Sequence, residues 1–227
     1  MGLVDHLTEL RRRLVKSILA VVVGTAVGFY FAPNLFQILK APVPGALYFT
    51  DPMGGFGIYI KIAFVAGVVI AMPVILYQVW AFVSPGLTRE ERRVARPWVP
   101  LALVFFIIGV AVAYFILPFA MGFLLAFQIP GVLQPLITVE GYVGFVTTLF
   151  LAFGLVMEFP IVLVLLSKVG IVTSKRLSSN RRMVFLGIFI FAVVVTPGGD
   201  PFSPTALGLT MYVLYELSIV LVRRLGH

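Results

Sequence analysis

Carboxylates are so scarce in this chain that each one needs a physical reason for its place. Its 227 residues hold 9 Asp and Glu against 17 Lys and Arg. Glu158 stands inside a long apolar run, ten residues and about 15 Å of helix before Lys168. A lone carboxylate at that depth in a membrane is paired, protonated or turned toward a wet cavity. Pro160 follows and frees backbone carbonyls on the preceding turn. Two roles fit Glu158: a polar docking or proton-sensitive site, or a protonated side chain bonded to a neighbouring helix. Glu216 lies nearer a basic end, about 10 Å of helix before Arg223, where it pairs at an interface. Glu9 precedes Arg11, Arg12 and Arg13, and Glu90-Glu91 precedes Arg92-Arg93. By charge pattern alone both groups read as solvated ion pairs, worth little at a surface.

Other chemistry is missing from the sequence. There is no phosphate-cradling Gly-x-x-x-x-Gly-Lys-Ser/Thr, no His-Glu-x-x-His and no Gly-x-Ser-x-Gly. Cysteine is absent, and His6 and His227 are the two histidines. No catalytic set, metal site or cofactor site is expected, and the chain reads as a transporter, a translocase part, a channel or a scaffold rather than an enzyme.

The elements that must position these residues are apolar helices. Hydrophobic residues make up 61% of the chain and charged ones 11%, far from the balance of a soluble domain. A span needs about 20 mostly apolar residues. Six runs qualify or come close: 14–33, 59–83, 97–127, 142–168, 183–195 and 205–222. They are continuous rather than alternating, which disfavours a β-barrel. The expected fold is one all-α, six-helix transmembrane domain over 1–227, with short fifth and sixth helices. At 1.5 Å per residue the third run is about 46 Å long and the fifth about 20 Å. The Pro- and Gly-rich segment 196–204 is expected to stay a loop, and residues 34–58 to form a folded outer cap. Gly24 and Gly28 share a face suited to close helix packing. Residues 11–31 resemble a signal peptide, but the apolar run is too long for one, so it is read as the first span.

Basic residues orient the spans. Arg11, Arg12, Arg13 and Lys16, the 89–96 arginines, the cluster from Lys168 to Arg182, and Arg223-Arg224 fall on one side. Lys40 and Lys61 fall on the other. Positive-inside places both termini in the cytoplasm. The net charge of +8 is thus a topology signal and not a nucleic-acid-binding stripe.

Several of these residues form an ordered pattern. The stretch from His6 to Arg13 resembles the N-terminal signature of the TatC family, the core subunit of the twin-arginine protein translocase. Residues 73–87, from Pro73 through Gln78 and Phe82 to Leu87, resemble its most diagnostic stretch. Glu91-Arg92-Arg93, Glu158 with Phe159-Pro160, and Thr196-Pro197 with Asp200 follow in the family's order. The resemblance covers 5–224.

The resemblance implies a receptor that binds twin-arginine signal peptides of folded cargo at its cytoplasmic face. It implies recruitment of single-span TatA- and TatB-type subunits into an oligomeric complex in the cytoplasmic membrane, with transport driven by the proton-motive force. By the same resemblance Glu9, Glu91, Arg11 and Phe82 form the peptide site. Glu158 docks a partner helix, and Pro42 and Asp200 serve in the outer loops. Two arginines present planar forks that carboxylates accept bidentately and lysine cannot mimic. The alternatives are a proton-coupled secondary transporter using Glu158, which predicts an inverted repeat that the unequal halves do not show, and a passive scaffold.

Overall fold

The computed structural model describes residues 3–43, 45–89, 92–93, 96–129, 135–168, 170 and 172–224. Among the described residues the regular elements are helices, and an isolated β-bridge joins Tyr48 to Thr138. Among the described residues, five stretches are long and apolar enough to cross a membrane, by length and composition. The chain divides into two compact units, Met1–Ala41 with Phe49–Leu103 and Pro42–Tyr48 with Val104–His227.

The first unit is built on two long helices, α1 (Leu3–Lys40) and α2 (Gly54–Val83). Small residues recur every fourth position on each: Gly24, Gly28 and Ala32 on α1, and Ala63, Gly67 and Ala71 on α2. All six are buried. A methyl group on Gly24 would sit 2.5 Å from the Gly67 carbonyl oxygen, and one on Gly28 would sit 2.6 Å from that of Ala63. The backbones touch because no side chain separates them. Phe29 meets Phe56 and Tyr59 further along. Contacts that advance along α1 retreat along α2, so the pair is antiparallel. Bulky residues such as Val22 and Val23 point away from it and are exposed, as suits a lipid-facing surface.

Pro33 does not end α1 as its position suggests. It removes one bond, to the Phe29 carbonyl, while Leu35, Phe36 and Leu39 beyond the buried Ala32 remain half-buried. The helix therefore reaches Lys40 and begins at Leu3, well outside the expected 14–33. Because α2 starts at Gly54, the connection shrinks to 41–53 in place of the cap expected over 34–58. α2 closes in a 3₁₀ turn, Ser84–Gly86. The Arg92 guanidinium donates to the Ser84 carbonyl from Nε at 3.2 Å and Nη2 at 2.7 Å, satisfying an end group of the helix.

Helix α3 (Trp98–Leu125) passes from the first unit into the second at Val104. In the second unit it packs antiparallel on α4 (Val139–Val156). Gly109 lies against the Phe153 carbonyl, and Gly154 lies against the Phe106 ring. Tyr48 pairs with the entry to α4, its N–H donating to Ile137 O at 3.0 Å and its carbonyl accepting from Val139 N at 2.8 Å. The fourth run is not one helix. It breaks at Met157-Glu158 and resumes as α5 (Phe159–Lys168), because Pro160 has no N–H for the Val156 carbonyl.

Three helices follow: α6 (Ser174–Ser179), α7 (Arg181–Val195) and α8 (Phe202–Arg224). At 15 residues, about 22 Å, α7 is the short one. α8 is not short, contrary to expectation: 23 residues give about 34 Å. Its start moves upstream because Pro204 sits in the first turn, where no intrahelical donor is required. Asp200 Oδ1 accepts from Ser203 N at 2.7 Å and fixes that start. α8 packs on α4, α5, α6 and α7, and its buried Tyr215 hydroxyl donates to Leu177 O at 2.7 Å.

The glycine contact makes a prediction. Gly24→Val is expected to lower the midpoint of heat unfolding in detergent by several degrees, as overpacking of about 1–3 kcal/mol does. Gly187→Ala, which meets no neighbouring atom, is expected to leave it unchanged. Equal midpoints for the two variants would contradict backbone contact at this crossing.

Candidate functional site

The antiparallel register of α1 and α2 brings one end of each together. Glu9 is buried, with a side chain 10% exposed. A carboxylate so placed requires a cation or donors, and Arg13 supplies them from one turn along. Arg13 donates from Nη2 at 2.6 Å and from Nε at 3.0 Å, both to Glu9 Oε1. Its Nη1 donates to Gln78 Oε1 at 3.3 Å, across to α2. Gln78 is buried as well. One turn toward the end of the pair, the His6 ring stacks on Phe82 with centroids 4.4 Å apart and planes 20° from parallel. His6 is exposed and Phe82 half-buried. Glu9, Arg13, Gln78, His6 and Phe82 thus share one end of the hairpin.

Arg11 belongs to the same stretch of α1 and is exposed. Glu91, with Glu90, lies outside the described residues. Arg92, next to it in sequence, donates to the Ser84 carbonyl at this end of α2. The structure therefore assembles Glu9 and Phe82 at one end, forms the Glu9–Arg13 ion pair that the charge pattern suggests but buries its carboxylate, and adds two residues that sequence reasoning gave no role, Gln78 and His6. Gln78 had one available signal, a lone amide in an apolar run.

The other candidates lie apart in the second unit. Glu158 sits in the break between α4 and α5, half-buried, with its Oε1 buried and without a hydrogen bond. Asp200 is buried at the start of α8. Its Oδ1 is the cap, and its Oδ2 has no partner. Pro42 is half-buried just after α1. Glu216 pairs with Arg181 of α7 at 2.8 Å in a partly exposed bridge. Glu140, in the first turn of α4, was overlooked: both its oxygens are buried and unbonded. The positive end of that helix favours its charge. Among the described residues, no cluster of three His, Cys, Asp or Glu could hold a metal ion.

The comparisons with known proteins agree with one another. The sequence model described as "Sec-independent protein translocase protein (TatC)" matches residues 5–209. The chain is similar to proteins of that name from Aquifex aeolicus, 38% identical over 97% of this chain and 94% of the relative, and from Escherichia coli, 38% identical over 97% and 88%. A relative from Frankia casuarinae is 39% identical, and the chain spans 65% of its length. A crystal structure titled "Twin Arginine Translocase Receptor- TatC in DDM" superposes with a TM-score of 0.84 at 37% identity, covering 96% of this chain and 99% of that one.

The cap at Asp200 is testable separately from any role in transport. Asp200→Ala removes the acceptor and is expected to cost about 1 kcal/mol, whereas Asp200→Asn keeps an oxygen in place. Heat unfolding in detergent should show a lowered midpoint for Ala alone. An equal loss for Asn would mean that the charge, not the cap, secures α8.

Proposed function

This chain belongs to the TatC family of Sec-independent protein translocase proteins, and from that premise we propose that it is the receptor for twin-arginine signal peptides of folded cargo. One observation carries the reading. A buried carboxylate, Glu9, and an aromatic, Phe82, stand at the same end of a closely packed helix pair. A guanidinium needs an oxygen that is held still, and the apolar stretch of a signal peptide needs an aromatic neighbour. Arg13 already occupies Glu9 Oε1, which is evidence that the site accepts a guanidinium. Glu91 adds the second carboxylate, so each arginine of the pair has a partner, and Arg11 supports the same surface. A solved relative is described as a twin-arginine translocase receptor, which supports this reading.

In this reading the end of the hairpin faces the cytoplasm. Positive-inside counting puts both termini there, in the inner membrane. Glu158 lies at a helix break within the fourth span, and its unbonded oxygen suits a polar side chain on a TatA- or TatB-type helix. Binding there satisfies a group that otherwise stays buried without a partner. Pro42 and Asp200 shape the opposite, outer loops. The proton-motive force drives transport, and the chain acts by binding and assembly rather than by catalysis. A proton-coupled solute transporter built on Glu158 is not favoured, since the relatives are named as protein translocase components.

The test is binding of a labelled signal peptide to the purified chain in detergent at two salt concentrations. An Arg-Arg peptide is compared with its Lys-Lys version. Wild type is expected to prefer Arg-Arg. Glu9→Gln and Glu91→Gln should each weaken Arg-Arg binding by about tenfold or more, the scale of one lost charge-assisted bond. Equal binding of both peptides, unchanged in both variants, would reduce these carboxylates to ordinary surface charges.

A further inference from the structure

The contact between Arg13 and Glu9 is lopsided. A guanidinium facing a carboxylate commonly engages both oxygens in parallel. Here Nε and Nη2 both converge on Oε1 at 3.0 and 2.6 Å, and neither uses Oε2. The third nitrogen, Nη1, is turned away from Glu9 and held by Gln78 Oε1 at 3.3 Å. Gln78 is 8% exposed and lies on the other helix, so it is a fixed point. Arg13, at 20% side-chain exposure, is less completely enclosed.

From this geometry we infer that Gln78 and Arg13 are positioning residues for arginine recognition: Gln78 fixes Arg13, Arg13 pins Glu9 by one oxygen, and the other oxygen is thereby presented to the peptide's guanidinium. The inference rests on the receptor reading above and deepens it. It assigns a reason for burying an amide in an apolar helix, where it costs free energy unless bonded. It also explains selectivity. A carboxylate free to rotate serves an ammonium or a guanidinium alike, because an ammonium is a point charge that accepts many approaches. A carboxylate held by one edge offers a set direction, which favours a planar fork. A rival role for Arg13 predicts the opposite sign. If it were a competitor that must leave before the peptide binds, its removal would tighten binding.

The test measures dissociation constants of Arg-Arg and Lys-Lys signal peptides for the full chain in detergent. The variants are Gln78→Leu, Gln78→Glu, Arg13→Ala, Arg13→Lys, the double variant Gln78→Leu/Arg13→Ala, and Glu9→Gln. Gln78→Leu and Arg13→Ala are each expected to weaken Arg-Arg binding about tenfold and leave Lys-Lys binding within about twofold, the scale of one charge-assisted bond. Gln78→Glu keeps an acceptor for Arg13 and should retain the wild-type preference. The double variant should be no worse than either single one, because the two residues act in series. The heat-unfolding midpoint of Gln78→Leu should stay at or above wild type, which separates lost positioning from lost folding. If Gln78→Leu does not fold, Arg13→Ala and Arg13→Lys carry the same measurement from the more exposed partner.

The inference is overturned if Gln78→Leu folds and keeps the Arg-Arg preference while Glu9→Gln loses it. It is overturned equally if Arg13→Ala tightens binding, or if Gln78→Glu behaves as Gln78→Leu does. A wild type that binds both peptides alike, or a Glu9→Gln variant that binds as wild type does, is a different result. It removes the receptor reading itself, and the positioning role with it.

Discussion

The approach of α1 to α2 through Gly24, Gly28 and Gly67 is the constraint on which the candidate site depends. With no side chain between the backbones, the two helices have a narrow choice of crossing and register. That register places Arg13 opposite Gln78 and His6 opposite Phe82, some ten residues and more from the glycines. A slip of one turn on either helix would leave Gln78 buried without Arg13. It would also leave the Glu9–Arg13 pair without its anchor on α2. The small residues carry no chemistry, yet they determine where the polar ones meet.

The chain treats its few carboxylates unequally. Glu9 is buried and clamped by an arginine on its own helix. Glu216 is half-exposed and bridged to Arg181, an arrangement that contributes little at a surface. Asp200 spends one oxygen on a helix cap and leaves the other unbonded, and Glu158 and Glu140 have buried oxygens with no partner. Unpaired groups of this kind are costly inside a membrane protein and point to contacts completed by another molecule or by a proton. The acids with unbonded buried oxygens, Glu140, Glu158 and Asp200, all lie in the second unit, which also holds the Glu216–Arg181 bridge.

Much of this was readable from the residues, for identifiable reasons. The long apolar spans, the shortness of α7 and the close-packing face at Gly24 and Gly28 follow from hydropathy and from residue size, which are local properties. Proline misled in two places. Pro33 suggested an end where α1 continues, because packing around Ala32 outweighs one lost hydrogen bond. Pro204 suggested a loop where α8 begins, because a proline in the first turn loses nothing. Glu9 and Phe82 were recognisable through their motifs. Gln78 lay inside the same motif, but its role depends on a contact with Arg13, 65 positions away, and no local pattern encodes that. Glu140 was missed because an acid in a first helical turn is ordinary until its burial is known.

A signal peptide bound at the Glu9 end of the hairpin can be located directly, because the chain contains no cysteine. One cysteine is introduced at Leu7, exposed on the same turn of α1 as Glu9, or at Phe56, exposed near the start of α2 at the far end of the pair. A signal peptide carrying a cysteine next to its Arg-Arg pair is added under mild oxidation, and disulfide formation is quantified. The account predicts efficient cross-linking at position 7 and little at position 56, with the position-7 product reduced when Lys-Lys replaces Arg-Arg. Cross-linking that is equal at the two positions, or stronger at 56, would contradict it.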